Sequence, residues 1–321
     1  MTGAPPSSLQ PARVCDACGG ELATYFAGVN DPQTGRQFAI LRCNRCGLGH
    51  TSPAPDDLAP FYRDYHGGRH GFTAAYCVQR RMRFLRRTIT TPSGGRLLDV
   101  GCGDGAFLVA AQAAGWQVTG TEMNPEAARS RGLDVYSELQ EVSRFAPFAC
   151  ITLWHTLEHM RDPHRVIASL RDLLSPSGAL IIAVPDAGGW QARLFGAHWF
   201  HLDVPRHLYH FTRESLANLL RSCGFTPERE WRQEFEYDAL GWSQSALNAS
   251  MSPPNLFFDL LRGRKPAASA LKSAAAWTAG LLLTAAAAPL VPLSSLCAQG
   301  GTLVVAAKPS TSALASHGAE S

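Results

Sequence analysis

Three groups of residues in this chain of 321 residues have types and spacings that could do chemistry. The first is a glycine loop, Leu98-Asp99-Val100-Gly101-Cys102-Gly103-Asp104-Gly105-Ala106. A short apolar run enters it and a helix-forming run, 106–114, leaves it. Glycines let backbone turn sharply and approach a ligand closely, and a helix that follows offers unpaired N–H groups. Gly101, Gly103 and Gly105 alternate, and an acid, Asp99, stands at the loop entry. That spacing differs from the dinucleotide fingerprint G-x-G-x-x-G. Alone, the loop indicates a nucleotide-like ligand at a strand end. The second group is Cys15-x-x-Cys18 with Cys43-x-x-Cys46. Two such pairs supply four thiolates, the closed tetrahedral set of a structural Zn2+ rather than a catalytic one. Gly19, Gly20 and Gly47 suit the knuckle turns. A metal would hold together a segment too small to build its own core.

A third group is rich in histidine. His198-Trp199-Phe200-His201-Leu202-Asp203-Val204-Pro205-Arg206-His207-Leu208-Tyr209-His210-Phe211 is the densest polar and aromatic stretch. An imidazole can take a proton near neutral pH. His207, His201 and His159 are the candidate bases, with His207 the first choice. Structural hydrogen bonding is the competing role for each, and Trp199, Phe200 and Phe211 suit a core as well as a substrate cage.

The elements that must position these groups follow from the hydrophobic pattern. Apolar runs at Arg96–Val100, Gln117–Thr121, 133–136, 148–153, 179–184 and 228–236 read as strands. Helical segments at 106–114, 124–131, 163–174 and 212–223 separate them, with Pro125 placed at a first turn and Thr212 as a cap. Such alternation implies a parallel sheet covered on both faces. The expected fold is α/β: a Rossmann-like, mostly parallel sheet of about seven strands. A small zinc ribbon precedes it and a helical apolar insert interrupts it before a last strand at 301–307. The expected organisation is a disordered lead (1–12), a ribbon (13–52), a linker with helices (53–93), the main domain (94–309, insert 237–298) and a disordered tail (310–321).

Hydrophobic residues make up 45% of the chain and charged ones 17%, which suits a packed domain and not a disordered one. A net charge of +3 argues against a dedicated nucleic-acid binder. The first residues carry no apolar run, and nine cysteines is an odd total, so a reducing cytoplasm is expected. Residues 273–296 carry no charge. The length could span a bilayer, but the last strand must return to the same sheet. The insert therefore reads as a hairpin that packs on the domain or dips into a membrane surface, with peripheral contact at the inner face through 266–298 in the second case. The basic segment 79–87 reads as a solvated helix face or a phosphate contact.

Residues 98–107 resemble the first motif of class I S-adenosylmethionine (SAM) dependent methyltransferases. Three further runs resemble that family in the same order. They are the strand and loop through Leu157-Glu158-His159 to Asp162-Pro163, the turn Leu173-Leu174-Ser175-Pro176-Ser177-Gly178, and Val184-Pro185-Asp186. The resemblance covers about 96–235 and 300–308, and implies methyl transfer from SAM. By motif position it implies cofactor contacts from Asp99, Gly101, Cys102, Gly103, Glu122, Met123, Trp154 and His155, with Glu138 or Leu139 near the adenine. Glu122, at a strand end, would accept both ribose hydroxyls; a solvated acid is the alternative. The ribbon, then Pro53-x-Pro55, then Phe61-Tyr62-x-x-Tyr65, is similar to zinc-ribbon methyltransferases of sugar and cell-surface polymer pathways. The family departs here at Phe148-Ala149, where an acid is common, and at His155, where ubiquinone-pathway relatives place an acid that helps hold a divalent ion. The implied acceptor is a small molecule, a sugar or a lipid-linked compound. Two rival readings are an rRNA or tRNA methyltransferase and a non-catalytic SAM-binding protein at a membrane surface. The oligomeric state is not legible.

Overall fold

The computed structural model describes residues 14–62, 73–90, 94–264 and 268–310. The expected lead at 1–12, Tyr65, parts of the expected linker and all but the first residue of the expected tail lie outside them. In chain order the first strands are β1 (Leu22–Asn30), β2 (Gln37–Cys43), β3 (Gly49–Ser52), β4 (Arg96–Val100), β5 (Gln117–Thr121) and β6 (Val135–Tyr136). Then come β7 (Phe148–Trp154), β8 (Leu174–Pro185), β9 (Tyr209–His210), β10 (Phe225–Trp231) and β11 (Thr302–Pro309). The helices are α1 (Ala59–Tyr62), α2 (Ala74–Thr88), α3 (Ala106–Ala113), α4 (Glu126–Arg129), α5 (Pro163–Leu173), α6 (Trp190–Phe195) and α7 (Arg213–Ser222). The insert holds α8 (Phe235–Ser250), α9 (Leu256–Leu261), α10 (Ala270–Ala287) and α11 (Leu290–Leu296).

Seven strands form the main sheet in the order β10-β11-β8-β7-β4-β5-β6. The five from β6 to β8 run parallel, and β11 and β10 close the edge antiparallel. Leu97, Leu98, Ile151, Leu153, Leu180, Ile181 and Ile182 are fully buried. Strands covered on both faces must be apolar throughout, which is why these runs do not alternate. Strand order reverses beside β4, so the crevice at the carboxyl ends of β4 and β5 is where such a sheet takes a ligand. Helix ends follow the local chemistry. Asp162 accepts from the Arg165 amide at 2.8 Å with Pro163 in the first turn, and Thr212 caps α7 by accepting from the Ser215 amide.

Four elements differ from the pattern reading, one of them β8, which starts at Leu174 opposite Phe148 rather than at 179. Pro125 caps α4 rather than entering it, and Gly132 follows soon after with φ +78°, so that helix is one turn long. The strand at 133–136 shrinks to an edge pair, Val135–Tyr136. The strand expected at 228–236 begins earlier, because its partner β11 sets the register from Phe225↔Pro309 to Trp231↔Val304, and Phe235 already starts α8.

A second sheet has the order β1-β2-β3-β9. Its first three strands belong to the cysteine segment, but β9 comes from the histidine-rich stretch, pairing Gly49↔His210 and His50↔Tyr209. The ribbon is thus completed by a strand from the middle of the main domain.

Candidate active site

The glycine loop leaves β4 and is tied to the end of β5. The amides of Gly101 and Cys102 both donate to the Thr121 carbonyl, at 2.8 and 3.0 Å. The Gly103 amide donates to Glu122 Oε2 at 2.9 Å, so the strand-end carboxylate sits over the loop. Gly103 has φ +58° and its face is open: a Cβ there would meet nothing within 4 Å. Gly105, also left-handed at φ +75°, lies inside the packing, where a Cβ would stand 2.3 Å from Leu133 Cδ1. Open backbone at Gly103 beside a carboxylate fits a ligand with paired hydroxyls, since one carboxylate can accept from both.

The other expected cofactor residues fall into two sets. Met123 is 69% exposed beside Glu122 and borders the crevice. Asp99, Cys102 and Trp154 are buried. Asp99 Oδ1 accepts from Thr152 Oγ1 at 2.6 Å, joining β4 to β7; burial pushes its carboxyl up to about 7 against that hydrogen bond. Cys102 packs beneath the loop against Gly120. Trp154 stacks on Phe84 and meets Phe107 edge-on, forming a wall under the loop. Glu138 caps the turn Leu139–Phe145 through reciprocal bonds with Glu141, and Leu139 packs against the core.

Beyond the loop the three candidate bases separate. His159 and His207 meet with ring centroids 4.7 Å apart, and Glu158 joins them, one ligand atom of each lying within 4.8 Å of the others. His207 Nδ1 lies 2.8 Å from the His201 carbonyl, and His159 Nδ1 lies 2.9 Å from the Arg206 carbonyl. A carbonyl only accepts, so each contact needs the hydrogen on Nδ1 and leaves Nε2 with its lone pair. Both Glu158 oxygens are buried without a hydrogen-bond partner. The cluster is therefore a set of converging acceptors, suited to take a proton from a substrate or to hold a cation. Burial, with His159 beside it, lowers the His207 imidazole to about 4 and keeps it neutral. His201 is lowered to about 4 by burial and contacts the Tyr237 carbonyl at 3.3 Å, so it supports α8 rather than joining the cluster.

His155 turns away. It has φ +54°, stacks on Tyr237 at 4.4 Å and pairs through Nε2 with Glu234. Burial pushes its imidazole down, but Glu234 overrides this and raises it to about 9. The divalent-ion set implied by the ubiquinone-pathway resemblance therefore does not form through His155. Glu234 also pairs with the buried Arg80, which meets Glu236 as well, so α2 is pinned to α8 above the crevice. Tyr62, from α1, brings its hydroxyl to 2.9 Å from His159 Nδ1.

The four cysteines converge. Sγ separations are 3.6 Å for Cys15–Cys46 and 3.5 Å for Cys18–Cys43, and all four lie within 4.8 Å of one another. A tetrahedron with metal–sulfur bonds of about 2.3 Å has edges of about 3.8 Å, so the set fits Zn2+. Burial raises the Cys43 thiol, but the Cys46 and Arg45 amides override this and hold it at about 7. Gly20 is needed there: a Cβ would lie 2.8 Å from Cys43 Sγ. From the cysteines the ribbon reaches the bases directly. His50 Nε2 lies 3.3 Å from Cys15 Sγ. The next residue, Thr51, donates through Oγ1 to the His207 carbonyl at 2.6 Å and through its amide to the Leu208 carbonyl at 2.9 Å. Arg206, buried, holds Asp203 on its own loop and reaches Asp31 of the ribbon at 3.4 Å.

The sequence pointed to the loop, Glu122, the cysteines, His159 and His207. It missed Glu234 and Tyr237, since nothing in their local spacing marks them, and it placed Tyr62 in a family-like run without giving it a role at the site. Glu158 was available in the Leu157-Glu158-His159 run.

Comparison with known proteins agrees with this architecture. A family model described as a methyltransferase domain matches residues 69–230, half of the chain. The ubiquinone biosynthesis O-methyltransferase of Xanthomonas axonopodis pv. citri (strain 306) is 28% identical over 155 residues, 43% of this chain and 65% of that protein. Its counterpart in Xanthomonas oryzae pv. oryzae (strain PXO99A) is 31% identical over 133 residues, 37% of this chain and 56% of that one. The chain thus spans less than two thirds of the length of these relatives. Among solved structures, the 1,6-didemethyltoxoflavin-N1-methyltransferase of Burkholderia thailandensis, with S-adenosylhomocysteine bound, is 21% identical. The alignment has a TM-score of 0.42 and covers 62% of this chain and 89% of that one. The matched segment takes in the glycine loop, Glu122 and the histidine cluster, and the chain belongs to the methyltransferase-domain family, the SAM-dependent class I methyltransferases.

Proposed function

We propose that this protein transfers a methyl group from SAM to a hydroxyl of a small-molecule acceptor held against residues 198–211. One observation carries the reading: the acceptor cluster of Glu158, His159 and His207 lies one loop away from the Gly103–Glu122 crevice. Thr156, between them in the chain, packs against Gly101. SAM held in the crevice supplies an electrophilic methyl group on a sulfonium that leaves as a neutral thioether. Gly103 and Glu122 fix the donor by backbone approach and by the two ribose hydroxyls. His207, neutral and oriented by the His201 carbonyl, takes the hydroxyl proton on Nε2 as the oxygen–methyl bond forms. The carboxylates of Glu158 and of Asp203, whose Oδ2 is 3.9 Å from His207 Nε2, favour the imidazolium so formed. Relatives named as O-methyltransferases support oxygen as the receiving atom. The hydroxyl is one on an aromatic ring, a sugar or a lipid-linked precursor. The cysteines hold a structural Zn2+, with no step of the reaction passing through it.

Calorimetry with SAM and a labelled-methyl assay on a panel of hydroxylated acceptors test this. Glu122→Ala should weaken SAM by at least about tenfold, from two lost charge-assisted hydrogen bonds. His207→Gln should keep SAM affinity and lose about 100-fold or more in turnover. Absence of SAM binding by the intact protein, or full turnover in His207→Gln, would sink the proposal.

A further inference from the structure

The insert carries a surface that methyl transfer does not use, and it lies outside the family-matched segment. Helix α10 is 18 residues long, and only 17% of it is buried. Its inner face is made of small residues. Ala276, Gly280 and Ala287 are buried, Gly280 lies directly against the Phe257 ring of α9, and Thr284 bonds Ser243 of α8 at 2.9 Å. Its outer face carries the large ones: Leu271 is 81% exposed, Leu282 67% and Leu281 49%. On α11, Leu293 and Leu296 continue it, Leu296 at 86%. Small residues and interhelical hydroxyls inside with leucines outside is how helices pack when their surroundings are hydrocarbon. In water, a contiguous apolar face of this kind marks a docking surface.

Charge selects the occupant. Asp259 pairs with Arg264 at 3.0 Å, but residues 260–319 contain no acidic side chain, while Arg262, Lys265 and Lys272 precede or open the helix, and Lys272 is exposed. An apolar face with a cationic border is complementary to the headgroup region of an anionic bilayer. The helix cannot cross it. α10 packs along α8 and α9, and β11 returns between β10 and β8, so both ends of the insert stay with one domain. We propose that α10 and α11 lie in the plane of an anionic membrane surface, with Leu271, Leu281, Leu282, Leu293 and Leu296 in the acyl boundary. Helix α8 joins this face to the acceptor side, since its first turn places Tyr237 on His155. The inference stands apart from the proposed reaction, because it needs neither SAM nor an acceptor.

Flotation of the full-length protein with phosphatidylcholine vesicles, with and without phosphatidylglycerol, tests it. Wild type should float with the mixed vesicles and bind them about tenfold more tightly than phosphatidylcholine alone at low salt. Leu281→Glu/Leu282→Glu should bind at least about tenfold more weakly, with SAM affinity by calorimetry unchanged as the measure of folding. Lys272→Glu should reduce only the phosphatidylglycerol dependence. The proposal is overturned if wild type stays in solution or if the double variant floats equally well. It is overturned too if light scattering shows a dimer that the double variant dissociates, since the face would then belong to a second copy.

Discussion

Gly103 and Gly105 have the same backbone hand but different surroundings, and replacing each with alanine separates ligand binding from packing. A left-handed alanine costs about 1–2 kcal/mol. At Gly103, φ +58° and an open face leave only that cost. For a domain of roughly 150–250 residues, 1 kcal/mol moves Tm by about 2–4 °C, so Gly103→Ala should lower Tm by about 2–8 °C. At Gly105, the added methyl also stands 2.3 Å from Leu133 Cδ1 and 3.2 Å from Ala128 Cβ. Overpacking of this kind adds about 1–3 kcal/mol, for a fall of about 4–20 °C. Ligand affinity should rank the other way. Gly103→Val fills the open face and should weaken SAM by at least about tenfold, or about 1.4 kcal/mol. Differential scanning fluorimetry gives the first ranking and calorimetry the second. The reasoning is refuted if Gly103→Ala melts as low as Gly105→Ala, or if Gly103→Val binds SAM as wild type does.

Stripping Zn2+ with a chelator, followed by its release in a colorimetric assay, should leave SAM affinity within about twofold and cut turnover by about tenfold or more, because the cysteines brace Thr51 and the His207 loop; equal loss of both would contradict the division of labour. Thr51→Val, which removes the bond to the His207 carbonyl, should cost about 1–3 kcal/mol of stability and lower kcat more than it changes the KM for SAM, checked by steady-state kinetics. Burial alone would raise the Glu234 carboxyl, but His155 and Arg80 bring it down from 4.5 to about 2. A depressed acid stabilises fully above its unfolded value and loses that contribution as pH falls through the folded one, here about 3 kcal/mol between pH 4.5 and 2. The gap in urea midpoint between wild type and Glu234→Gln should therefore be wide at pH 6 and narrow towards pH 3; a constant gap would show that the pair carries no such linkage.

The parallel core was legible because buried strands must be apolar and their turns must carry glycine, as at Arg96–Val100 into Gly101. The four-cysteine cluster was legible because cysteine pairs keep their spacing in the chain. What sequence spacing hides is contact between distant segments. The pairing of His50 with Tyr209 and the meeting of Tyr62 with His159 join residues about 160 and 97 apart. Asp99 shows a different limit. Its position in the loop motif suggested ligand contact, yet its side chain is buried against Thr152, since a strand residue just before the turn still faces its neighbour.

The histidine-rich stretch is held from both sides by parts of the chain outside the parallel sheet. On one side β3 pairs with β9, and Thr51 grips the backbone of His207 and Leu208. On the other, Ser245 Oγ of α8 accepts from the Phe200 amide at 2.9 Å, and His201 meets the Tyr237 carbonyl. The donor crevice, by contrast, is built from β4, β5 and the turns that leave them, with Trp154 and Thr156 beneath the loop. Similarity in that sheet therefore reports the methyl donor, while the histidine stretch, inside the family-matched segment, is braced by a ribbon and an insert that the segment leaves out. Changing the acceptor should then require mutations at the β3–β9 and α8 contacts, and those changes should leave SAM affinity untouched.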